Sequence, residues 1–183
     1  VSLNRLLNVV CLNKGAGKEG GFVKVPMLDP AVKQNFSAMN IEGYSEGDSI
    51  EVVTIDSLEP NRCKLIKIDV EGMEADVLDG AEITIKRLQP ILFVENNSED
   101  NSQNIIQRIL ELNYQAWWLI APYYNSRNYF GNLENIFAPY HPEANLFCLP
   151  RGTDGPANGL EPVCGANDTC KLALERIINK GNG

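Results

Sequence analysis

The chain reads as an α/β fold on a mostly parallel sheet, closed at one edge by an antiparallel strand pair. Three observations predict this. Short β-branched runs alternate with helical stripes from Lys64 onward. The run Ile91–Glu95 is almost wholly apolar, as a strand covered on both faces should be. Two further apolar runs, "QAWWLIA" and "NLFCLP", are separated by a long Tyr/Asn-rich segment and read as the edge pair.

The elements follow in order. "VSLNRLLN" opens in helix-like text, and Asn8–Asn13 reads as a short buried strand ended by the flexible "KGAGKEGG". Phe22–Leu28 is a strand candidate whose Pro26 places it at an edge, and Ser49–Ile55 has strand composition. "KLIKIDV" (64–70) is the next strand. Ala75, Leu78, Ala81, Ile85 and Leu88 then recur at steps of three and four, so a single helix is expected over 74–88, stopped by Pro90. After Ile91–Glu95, Ser98–Ser102 offer N-caps for a helix striped by Ile105, Ile109 and Leu112. Residues 1–150 form the domain, and 151–183 a polar tail with a short terminal helix near Cys170–Asn179.

Composition excludes several functions. With 183 residues, a net charge of −8 and no Lys/Arg cluster, the chain lacks the basic face that nucleic-acid phosphates require. No apolar run approaches the length of a membrane span. Without a signal peptide, a cytoplasmic location is expected. Cys11, Cys63 and Cys148 sit in or beside apolar text and read as core residues. Cys164 and Cys170 lie in the tail, where a reduced state is preferred over a local disulfide. A single histidine, His141, rules out a histidine-rich metal site. It is read as a surface residue, the alternative being a side chain facing a substrate.

Five acids crowd "KIDVEGMEADVLDGA" (67–81). Asp76 and Asp79 are most simply charges in the first turns of a helix, opposing its dipole. Glu74 fits either that role or a functional one. Asp69 and Glu95 end two neighbouring strands, where a carboxylate needs a partner, and ligands in open parallel sheets bind beyond such ends. Asp69, Glu71, Glu95 and Asn96 are therefore expected to converge. Gly72 allows either a tight turn or close approach of a ligand. Lys67 is read as half of a structural ion pair inside a covered strand, and Trp117 and Trp118 as core residues.

The text "VVTIDSL" followed by "CKLIKIDVEGMEADVLDGAEITIKRLQPILFVEN" resembles the FkbM-type S-adenosylmethionine-dependent methyltransferases. The family pattern is carried by Thr54, Asp56, Ser57 and Leu58, then Lys67, Asp69, Val70, Glu71, Gly72 and Glu74. Val77, Leu78, Gly80 and Ala81 follow, then Pro90, Leu92 and Glu95. The resemblance implies a class I methyltransferase (Rossmann-like) sheet with an antiparallel edge strand. It also implies methyl transfer to a hydroxyl of a small molecule such as a sugar or polyketide. The Gly-rich cofactor loop and ribose-binding acid of such folds have no counterpart here. The chain is therefore read as lacking the first two strands, as a piece of a longer protein. "FVKVPML" and "SIEVVTI" are the only segments that could fill the gap.

On this reading Asp69, Glu71 and Glu95 are the catalytic candidates, with Asp69 and Gly72 nearest the cofactor. Asp69, Glu95 and Asn96 are hard oxygen donors suited to Mg²⁺, a secondary alternative to metal-free transfer. The rival function is a non-catalytic methyltransferase-like remnant acting as a binding module.

Overall fold

The computed structural model describes residues 3–32, 43–138, 140, 142–155 and 159–181, in which eight strands form two sheets accompanied by four helices. The architecture is mixed α/β. The smaller sheet holds β1 (Gly15–Ala16), β2 (Gly21–Val25) and β3 (Asp48–Val53) in the order β1-β3-β2. The larger holds β4 (Leu65–Ile68), β5 (Ile91–Glu95), β6 (Tyr114–Ala121), β7 (Glu143–Pro150) and β8 (Glu161–Pro162) in the order β4-β5-β7-β6-β8.

Several expectations are corrected. Asn8–Asn13 is not a strand: it pairs with nothing described, Val10 is 85% exposed, and Cys11 is exposed rather than a core residue. Leu3–Arg5 forms a turn rather than a helix. The segments proposed to fill a gap beside β4 instead pair with each other, antiparallel, as β2 and β3. Only β4 and β5 run parallel in the larger sheet. The strand β7 is interior: it lies antiparallel between β5 and β6, and β8 adds to the far side of β6. The long segment after Ala121 lets the chain return in the opposite direction, so β6 and β7 form the antiparallel pair the sequence predicts, with β7 rather than β6 next to β5.

Register assigns the two faces of the larger sheet. Ile66, Leu92, Cys148 and Ala116 align across four strands, as do Ile68, Val94, Leu146 and Trp118. These residues join Val77, Leu78, Ile85, Ile105, Ile109 and Ala173 in one buried cluster, so all four helices contribute to the same core. The other face carries Lys67, Phe93, Phe147 and Trp117 in one cross-strand row, and none of the three aromatics is fully buried. Trp118 is thus a core residue while Trp117 is half-buried on the opposite face.

The helix expected over 74–88 is two: α1 (Glu74–Asp79) and α2 (Glu82–Leu88). The break has a visible cause. A Cβ on Gly80 would lie 2.0 Å from the Gly17 carbonyl oxygen, so the backbone of the β1 loop presses directly on this corner. The Asp56 carboxylate accepts hydrogen bonds from the N–H groups of Ile83 (2.9 Å) and Thr84 (2.7 Å), capping α2 from a distant segment. The Asp56 N–H donates to the Gly80 carbonyl at 2.9 Å. Because α1 stops at Asp79, that acid lies at a helix C-terminus, where the dipole disfavours it. Ion pairs with Lys18 (2.9 Å) and Arg108 (2.5 Å) compensate.

The helix α3 (Glu99–Glu111) follows Ser98, whose side chain makes no capping bond. The tail contributes β8 and α4 (Cys170–Gly181). Asp168, 4% exposed, anchors it: its carboxylate accepts from Trp118 Nε1 (3.1 Å) and from Arg176 (2.7 Å). Cys164 and Cys170 are free thiols, and the buried Cys148 thiol is pushed well above its ordinary pKa by burial. No helix among the described residues is long and apolar enough to cross a membrane.

Gly80→Ala should destabilise the chain by roughly 1–3 kcal/mol, the usual cost of overpacking a close contact. Asp56→Ala should cost about 1 kcal/mol through the lost cap. Urea denaturation of both variants measures these values.

Candidate functional site

The site begins with strand register. Ile68 pairs with Val94, so one residue further on Asp69 stands opposite Glu95, on the face of the sheet that also carries Lys67. The Lys67 ammonium donates to Asp69, and both side chains are about half exposed, at 53% and 45%. Lys67 is therefore not inside a covered strand, and its partner is the residue just past the end of its own strand rather than one from a neighbouring element. The reason is that the helices cover only the Ile66/Ile68 face of β4.

Beyond Asp69 the chain turns sharply. Glu71 (φ 52°) and Gly72 (φ 103°) are both left-handed, a conformation that is strained for glutamate. Glu74 holds the turn. It is only 4% exposed, and its carboxylate accepts hydrogen bonds from the N–H groups of Val70 (3.2 Å) and Gly72 (3.1 Å). Its role is thus architectural. Gly72 completes the turn, and its carbonyl accepts from Asn101 of α3 at 3.3 Å.

Asp69, Glu71 and Glu95 each offer a carboxylate oxygen within 4.8 Å of the others. Glu71, Gly72, Glu95, Asn97 and Asn101 line a cavity of about 310 Å³ between the ends of β4 and β5 and the start of α3. The crowding separates the carboxylates electrostatically. The Lys67 ammonium pulls the Asp69 carboxyl below its ordinary pKa. Burial, with Asp69 and Glu74 nearby, pushes Glu71 up. Burial and the negative charges of Asp69 and Glu71 raise Glu95 from 4.5 to about 7. One carboxyl is held ionised while a neighbour is poised near neutrality, the arrangement that divides acid–base roles between two acids.

Asn96 does converge on this region, but its side-chain amide donates to Ser102 at 2.9 Å and is 2% exposed. Three carboxylates at this spacing suit a hard divalent cation, with Glu71 taking the place expected for Asn96. Sequence reasoning missed Asn97. Its Nδ2 donates to Glu95 Oε1 at 2.5 Å and its Oδ1 accepts the Ala144 N–H at 2.6 Å, joining the carboxylates to β7. Its position directly after two strand-end residues was the available signal. His141 lies outside the described residues.

The model of the methyltransferase FkbM domain matches residues 6–116, more than half of the chain. The chain belongs to the FkbM methyltransferase family. No curated protein and no solved structure matches it. The family match ends inside β6, so β7, β8 and α4 lie beyond it.

Membership in the FkbM family implies S-adenosylmethionine as methyl donor. The acid cavity suits cations and hydroxyl donors. The glycines of 15–21 do not line it: Gly15 belongs to β1, and Gly17 packs beneath Gly80. Among the described residues, the 15–21 glycines therefore form no cofactor cradle at this cavity, whose lining is acidic and amide-rich.

Glu74→Ala should leave two N–H groups of the turn without partners and destabilise the domain by about 1–3 kcal/mol. Glu71→Gly should relieve the left-handed strain, stabilising the fold by roughly 1 kcal/mol while removing a carboxylate from the cavity. Thermal melts of the two variants should therefore shift in opposite directions.

Proposed function

We propose that this FkbM-family methyltransferase transfers a methyl group from S-adenosylmethionine to a hydroxyl oxygen of a small molecule. The proposed sheet is of the class I methyltransferase type. The observation that carries the reading is the pair Asp69–Glu95, set side by side by strand register with one carboxyl lowered and the other raised to about 7.

A hydroxyl is a weak nucleophile until its proton is shared or removed. Glu95 is the general base: its raised pKa suits it to accept that proton near neutrality, and Asn97 Nδ2 fixes one of its oxygens. Asp69, kept ionised by Lys67, supplies the negative charge that favours the protonated form of Glu95 after transfer. Glu71, presented by its left-handed backbone, orients the acceptor. A divalent cation held by Asp69, Glu71 and Glu95 is the second reading, favoured by their mutual spacing. There the cation would lower the hydroxyl pKa directly. Gly72 serves the turn and approaches whatever fills the cavity.

Transfer of a labelled methyl group to a panel of alcohols tests the proposal. Glu95→Gln should lower turnover by about 10²–10⁴-fold, the usual contribution of a general base. Asp69→Asn should also lose transfer with the fold intact; near-parental turnover of either variant would reject its assigned role. Turnover should rise with pH to a plateau above about 7, as Glu95 ionises. Chelation that leaves turnover unchanged would eliminate the cation reading.

The raised Glu95 pKa also predicts a stability profile. The folded state holds this proton more tightly than the unfolded chain. The associated stability is full below pH 4.5 and lost as pH rises through about 7. Glu95→Gln should therefore match the parent at pH 4 and exceed it at pH 8. The expected difference is about 1 kcal/mol after discounting for solvent screening.

A further inference from the structure

We infer that the acceptor is an alcohol with an aliphatic body, and that the tail helix α4 supplies the wall that selects it. This rests on the methyl-transfer reading and specifies the substrate class of the same site. A second cavity, of about 480 Å³, adjoins the acid cavity, and Asn97 lines both. Its size lies within the range of small-molecule sites.

The wall is built by periodicity. Cys170, Leu174 and Ile178 recur at i, i+4 and i+8, so they form one stripe along α4, and all three line the cavity. At 1.5 Å per residue the stripe is about 12 Å long. Pro142 and Ala144 face it from the β7 side. The charged residues Lys171 and Glu175 follow the stripe one position on.

How α4 docks explains why this stripe is available. The helix buries Ala173 completely, and ion pairs clamp its flank: Arg176 with Glu161 and Asp168, and Lys180 with Glu161. Along the stripe Cys170 packs partly against the core, Leu174 is half-buried, and Ile178 remains 59% exposed. Apolar surface in a groove beside a proton acceptor suits a molecule whose hydroxyl meets Glu95 and whose hydrocarbon lies along α4. Asn97, Glu99, Lys171 and Glu175 also line the cavity, but along the stripe itself a sugar would set its further hydroxyls against Leu174, Ile178 and Ala144, which offer no side-chain hydrogen-bond partner.

Asn97 sets the junction. It holds Glu95 through Nδ2 and the Ala144 N–H through Oδ1, so the base and the groove wall are fixed relative to each other by one side chain.

The test is an amide NMR titration of the full chain with n-octanol and, separately, methyl α-glucoside. Octanol should shift the amides of Asn97, Ala144, Cys170 and Leu174, and the glucoside should leave them in place. Ile178→Glu should weaken octanol binding by about tenfold, whereas Leu172→Glu, outside the groove, should not change it. The inference is overturned if octanol leaves those amides unmoved, if Ile178→Glu binds octanol as the parent does, or if the glucoside shifts them more strongly than octanol. Because Ile178 is mostly exposed, its substitution tests binding without threatening the fold. The titration contains no methyl donor, so its result is independent of the Glu95→Gln turnover assay.

Discussion

The buried Glu74 carboxylate is the constraint on which the site depends. A glutamate at 4% exposure is costly unless it is hydrogen-bonded, and here Oε1 accepts from both the Val70 and the Gly72 amides. Those bonds stabilise two consecutive left-handed residues, a conformation the chain would otherwise avoid. The turn starts α1 in the direction that buries Val77 and Leu78, and it presents Glu71 beside Asp69 and Glu95. One side chain thus couples the strand end, the helix start and the placement of a carboxylate that it does not itself supply.

The family's pattern residues divide accordingly into two physical roles. Asp56 caps α2, Gly80 admits the Gly17 carbonyl, and Ala81 is fully buried beside it. These residues bring the small sheet against the corner between α1 and α2. Asp69, Glu71 and Glu95 instead carry uncompensated negative charge into one small volume, relieved in part by Lys67. The first group spends its hydrogen bonds and close contacts on the fold. The second leaves carboxylate capacity open to a ligand, and that asymmetry separates architecture from chemistry more clearly than sequence spacing does.

The two faces of the larger sheet differ in the same way. One is sealed by four helices around Ile68, Val94, Leu146 and Trp118. The other carries the row Lys67, Phe93, Phe147 and Trp117, and it is on this face that the Lys67–Asp69 pair stands in contact with solvent. The solvent exposure of that pair keeps its attraction modest. Glu95 is more enclosed and accordingly has the larger upward displacement, to about 7.

Residues 64–121 were legible in the sequence because their signals are local: β-branched runs, an apolar stripe at helical spacing, and acids placed just after strands. That text determined the strands β4, β5 and β6, the helix α3 and the candidacy of Asp69 and Glu95. It misplaced Asn8–Asn13, because an apolar run becomes a strand only when a neighbour pairs with it. It also ran α1 and α2 together, because the apolar stripe continues across a break caused by Gly17, 63 positions upstream of Gly80. Nothing local showed that β7 would enter between β5 and β6, that Asn97 would bridge Glu95 to Ala144, or that the tail would supply a groove wall. The sequence by itself determined which residues carry charge at the ends of strands. Only the tertiary structure decided how those charges are held, by the turn that Glu74 fixes and by the Asn97 bridge to β7, since strand order and close backbone approach are long-range packing outcomes that no short stretch encodes.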